Sequence, residues 1–188
     1  MTALHALAPF DSKRLESVFN QCFAGTENTQ LRGGAEEPVY QPASGAGGVH
    51  LLFYREDYFA SALHEIAHWC IAGRARRQQL DFGYWYAPEG RTPAQQQAFE
   101  AVEARPQALE WILAQACRYR FRTSADNFLA DGTLPDTSAF CQQVVERARQ
   151  FQREGLPPRA QQLFSALCCE FGQTDQLQTM VFRARDIL

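Results

Sequence analysis

The chain has 188 residues, 46% of them hydrophobic and 21% charged, the proportions of an ordinary soluble protein long enough to bury its own core. A formal net charge of −3, from 18 Lys+Arg against 21 Asp+Glu, gives no reason to expect a nucleic-acid partner. No window reaches the roughly 18 apolar residues of a membrane-spanning helix. The first fifteen residues lack a signal-peptide core, and the six cysteines form no Cys-x-x-Cys pair. The expectation is a single domain with free thiols in the reducing cytoplasm.

Residues 11–24 place Leu15, Val18, Phe19, Cys22 and Phe23 on one amphipathic helical stripe, opened by Asp11 or Ser12. The stretch 26–48 is broken by Gly33-Gly34, Pro38, Pro42 and the glycines of 45–48, and reads as loop with a short strand at Val39-Tyr40. Residues 49–54 (VHLLFY) read as a strand. A helix follows from about Asp57 to Ala72, with Asp57 as N-cap and Gly73 as a left-handed stop. Its buried stripe is Phe59, Ala62, Leu63, Ile66 and Cys70. Residues 80–86 (LDFGYWY) alternate like a strand. From Thr92 the chain reads as helices at about 93–104, 106–120, 137–154 and 158–171, with a weaker segment near 175–187. Pro106 either opens the second of these or kinks one continuous helix. Strands early and helices late predict an α+β fold.

The chain holds four histidines, and two of them stand in His64-Glu65-Ile66-Ala67-His68. On a helix, a spacing of four turns both imidazoles to one face, which presents two nitrogen ligands to one metal ion. Glu65 lies beside them as a candidate base. Two histidines need a third protein ligand; no histidine follows His68, so it is His5, His50 or a carboxylate. The downstream helix offers Glu100, Glu103 and Glu110. Metallopeptidases of the thermolysin type place a polar residue four positions after their glutamate ligand to orient a histidine. Only Glu103 has one, Gln107, so Glu103 is the favoured third ligand and Glu100 the next. A solvated acidic helix face fits Glu110 or Glu100 taken singly.

Other residues carry weaker signals. Arg74, Arg76 and Arg77 suit either a solvated helix end or an acidic docking partner. Asp81, Tyr84, Trp85 and Tyr86 suit either strand core or a cationic substrate. His5 reads as a surface residue, His50 as structural, and Asp126-Asn127 as a turn. Two histidines and a carboxylate serve a zinc peptidase with Glu65 as general base, or the facial triad of an Fe(II) oxygenase. The pentapeptide by itself favours the peptidase, and the His-x-Asp signature of jelly-roll oxygenases is absent.

The run HEIAHWCIAGRARRQQLDFGYWYAPEGR (64–91), followed by FEAVEARPQALEW (99–111), resembles the bacterial elongation factor P hydroxylase family. The upstream VFNQCFAGTENTQLRGGAEEPVYQPA (18–43) is similar too, and the likeness fades after about residue 130. The resemblance implies a metallopeptidase-like (zincin-like) fold turned to oxidation. It implies hydroxylation of the β-lysylated lysine of elongation factor P, with Fe(II) as metal, zinc able to replace it in purified protein, and dioxygen as cosubstrate. The implied ligands are His64, His68 and a glutamate of 99–111, which spacing makes Glu103. Glu65 then orients ligands or moves protons. Asp81, Tyr84, Trp85 and Tyr86 receive the ammonium-bearing chain, and Arg74, Arg76 and Arg77 meet the factor.

Overall fold

The structure, a computed structural model, describes residues 10–82, 91–125 and 136–188. Helix α1 (Ser12–Phe23) is capped by Asp11, whose carboxylate accepts from the Lys13 amide at 2.8 Å. Its stripe of Leu15, Val18, Phe19 and Phe23 is buried, as the periodicity requires.

Three strands follow: β1 (Thr29–Ala35), β2 (Val39–Gln41) and β3 (His50–Arg55). The sheet order is β1-β3-β2, with β3 parallel to β1 and antiparallel to β2. β1 corrects the expectation of loop across 26–48. Its glycines sit inside the strand, at a break in register between Arg32 and Ala35. A Cβ on Gly33 would come within 2.6 Å of both the Glu56 carbonyl and the Tyr54 ring. Gly34 lies at φ +86°, where side chains are strained. The residues that look like breakers are thus what lets β1 pack closely against β3.

Helix α2 (Phe59–Ile71) carries the histidine motif. Its N-cap position is Tyr58, with no side-chain cap, so Asp57 does not cap it. Nor is Gly73 a left-handed stop: it is not among the positive-φ residues, and the helix ends at Ala72 with extended ψ. The guanidinium of Arg159 accounts for the difference, since its Nη2 donates to the carbonyls of Trp69, Cys70 and Ala72 at 3.0, 3.2 and 2.6 Å. Carbonyls already satisfied from outside need no Schellman reversal.

Helix α3 (Pro93–Ala116) opens with a Thr92/Gln95 capping box and runs unbroken through Pro106. From Glu103 onward it is buried nearly all round, and this packing overrides the local penalty of the proline. Helices α4 (Ser138–Glu154) and α5 (Pro158–Glu170) complete the helical half. The region 175–187, expected to be weakly helical, holds only two short 3₁₀ turns, at Leu177–Thr179 and Ala184–Asp186. One hydrophobic cluster joins α1, the sheet and all of α2–α5, giving an α+β architecture. Among the described residues no helix is long and apolar enough to cross a membrane.

Candidate metal centre

α2 buries Ala62, Leu63, Ile66 and Ala67 in the core. The face beside that stripe carries His64 and His68 toward α3. The two helices run antiparallel here, because Glu103 lies against His68 while Glu110, two turns further along α3, lies against His64. The Nε2 atoms of His64 and His68 are 3.1 Å apart. A Glu103 oxygen is 3.3 Å from His68 Nε2 and 3.8 Å from His64 Nε2. All three donor atoms lie within 4.8 Å of one another. Donors sharing one tetrahedral ion at about 2.0–2.1 Å sit about 3.3 Å apart, so this set fits a divalent metal. Glu100 stands outside the cluster and accepts instead from the Gln96 amide at 3.0 Å.

Two expectations about the supporting residues are corrected. Gln107 does not reach a histidine: its side chain donates to the Ser124 carbonyl at 2.7 Å and accepts from the Ser124 amide at 3.1 Å. Glu110 is not a solvated helix face. It is 8% exposed, and its Oε2 lies 2.8 Å from His64 Nδ1. A seven-residue spacing returns a helix to within about 20° of the same direction, so Glu103 and Glu110 share one face of α3. That spacing was the available sequence signal.

The electrostatics follow from these contacts. Burial disfavours the charged form of His64, but the hydrogen bond and charge of Glu110 outweigh it and raise the imidazole to about 10. Burial acts against the Glu103 carboxylate too, yet His68, His64 and Gln107 hold it down at about 2. Burial pushes the Glu65 carboxyl up, with the two histidines opposing. Glu65 has no hydrogen-bond partner among the described residues. It lines both a groove of about 1130 Å3, shared with His64, Glu103 and Glu110, and a smaller recess of about 370 Å3. Arg55, Arg122 and the half-exposed Phe82 also line the groove.

With this site in place, comparison with known proteins is decisive. The family model described as "Elongation factor P hydroxylase" matches residues 18–182. This chain belongs to the elongation factor P hydroxylase family. A protein of Haemophilus influenzae (strain ATCC 51907 / DSM 11121 / KW20 / Rd) named "Elongation factor P lysine hydroxylase" is 44% identical over 166 residues, covering 88% of this chain and 92% of that protein.

The structure disperses the remaining candidates of this family member. Asp81 bridges its backbone to Tyr40, ion-pairs with Arg76, and lines the smaller recess rather than the groove. Tyr84, Trp85 and Tyr86 lie outside the described residues, as do His5, Asp126 and Asn127. Arg77 pairs with Glu27 at 2.7 Å and sits over the Trp69 ring. Of the arginine trio only Arg74 is exposed. His50 is structural, its Nδ1 accepting from the Ala43 amide at 3.0 Å. Arg159 was missed altogether, and no local pattern could have pointed to a residue 87 positions beyond the carbonyl it caps.

Proposed function

We propose that this chain is an iron-dependent oxidoreductase that hydroxylates the β-lysylated lysine of elongation factor P, the last step of that modification. The observation that carries the reading is the convergence of His64, His68 and Glu103 within 4.8 Å, in a chain 44% identical to a named elongation factor P lysine hydroxylase. The antiparallel pairing of the HExxH helix with a glutamate-bearing helix supports a metallopeptidase-like (zincin-like) ancestry. The relatives give the zinc-peptidase alternative no support. A translation factor as substrate places the reaction in the cytoplasm.

His64, His68 and Glu103 would hold Fe(II), with zinc the ion able to replace it in purified protein. Bound there, iron supplies activation of dioxygen as cosubstrate. The chain's own residues do the rest. The groove admits an extended aliphatic side chain up to the cluster. Glu65, unpartnered and with its carboxyl pushed up by burial, holds or passes a proton at its free oxygens. Asp81, Tyr84, Trp85 and Tyr86 receive the ammonium-bearing end, Asp81 from the adjoining recess, which shares Glu65 and His68 with the groove, on exchanging its Arg76 partner for the substrate cation. Arg74, with Arg76 and Arg77 behind it, meets acidic surface on the factor.

Mass analysis of elongation factor P from cells carrying His64→Ala tests the assignment. The one-oxygen mass addition should vanish, and purified wild-type protein with Fe(II), oxygen and a two-electron reductant such as ascorbate, which takes the second oxygen atom to water, should restore it on lysylated factor. Persistence of the addition in cells lacking any other hydroxylase would overturn the reading.

A further inference from the structure

A histidine offers a metal one ring nitrogen only if the proton stays on the other. At His64 the nitrogen facing Glu103 and His68 is Nε2. The opposite nitrogen, Nδ1, meets Glu110 Oε2 at 2.8 Å. Among the described residues, His64 is the sole hydrogen-bond partner of Glu110. Among the described residues the Nδ1 of His68 has no comparable partner, so the two histidines are held differently. Glu110 is a carboxylate only 8% exposed with a single imidazole for company. It becomes well matched when a dication sits beyond the ring. Two neutral imidazoles and the carboxylates of Glu103 and Glu110 then balance a charge of +2.

We propose that Glu110 is a positioning residue that fixes His64 in the Nδ1–H tautomer, aims Nε2 into the cluster, and supplies the second negative charge that a divalent ion requires. This rests on His64, His68 and Glu103 being the metal ligands. Glu110 acts through His64, and the carboxylate–histidine–metal relay makes the imidazole a stronger donor. His64 is held from behind by Glu110 at 2.8 Å.

The test measures Co(II) affinity of the full chain by competition with a chromophoric chelator. Glu110→Ala is expected to weaken Co(II) binding roughly 10- to 100-fold. Glu110→Gln keeps an acceptor and the volume while losing the charge, and is expected to fall between Glu110→Ala and wild type. The Zn(II)-loaded wild type should show a downfield His64 Nδ1–H proton resonance, absent in Glu110→Ala. A merely structural role would not move that signal. Co(II) affinities of both variants within about twofold of wild type would overturn the proposal. His64→Ala and Glu103→Ala separate the two readings. If they also leave affinity unchanged, the metal-centre assignment itself fails, whereas if they abolish binding and the Glu110 variants do not, only the Glu110 role fails.

Discussion

Replacing Arg159 by Met should loosen the end of α2 that carries His68. The substitution keeps an apolar stem over Trp69, whose ring lies 4.7 Å from the guanidinium carbon, and removes the donor to three carbonyls. One nitrogen, Nη2, serves all three, at 2.6, 3.0 and 3.2 Å, so its two protons are shared and three full hydrogen bonds are not lost. A charge-assisted hydrogen bond contributes about 1.5–3 kcal/mol, and a cation at a partly buried helix C-terminus up to about 2 kcal/mol. Opposing this, burial and then the neighbouring Arg77 disfavour the Arg159 charge, and its buried Nε has no partner among the described residues. The balance is a loss of about 2–3 kcal/mol, which lowers Tm by roughly 4–12 °C in a chain of this length. Urea unfolding with an unchanged m-value measures it. The last turn links directly to the site through the Ala72 amide, which donates to the His68 carbonyl at 2.9 Å. Co(II) affinity should therefore fall as well. A loss below about 0.5 kcal/mol, the range of surface substitutions, would refute the capping role.

Gly33→Ala should cost about 1–3 kcal/mol by overpacking, because its Cβ meets the Glu56 carbonyl and Tyr54 at 2.6 Å; urea denaturation midpoints check this. In metal-free protein the site should be most stabilising between pH 4.5 and 6.5. His64, raised from 6.5 to about 10, contributes fully below 6.5 and loses its contribution as pH rises through 10. Glu103, lowered from 4.5 to about 2, contributes above 4.5 and loses it as pH falls through 2. Metal affinity should run the other way above pH 6.5, since a ligating imidazole must shed its proton. Unfolding in chelator across the pH range tests this, and stability that climbs from pH 7 to 9.5 would contradict it. Arg74→Glu should weaken binding to elongation factor P in a salt-dependent way. By contrast, Arg76→Glu and Arg77→Glu should also lower Tm, because they break the pairs with Asp81 and Glu27. Binding at two salt concentrations alongside melting curves separates these effects.

The amino-acid sequence by itself determined the helix of His64 and His68, the amphipathic α1 and the helical second half. All of these are local periodicities that burial then follows. It also favoured Glu103 over Glu100 and Glu110 by the spacing to Gln107, although Gln107 bonds Ser124 and not a histidine. The tertiary structure alone decided which other groups serve the site. Glu110 became a partner of His64 because α3 crosses α2 antiparallel and runs unbroken through Pro106, turning an apparent solvent face inward. Arg159 closed the motif helix from α5, a contact between segments remote in sequence that made a glycine stop unnecessary. β1 was hidden for the same reason. Gly33 and Gly34 look like breakers in isolation; the approach of Tyr54 and of the Glu56 carbonyl just past β3 explains the glycine at 33, and the positive φ explains the one at 34.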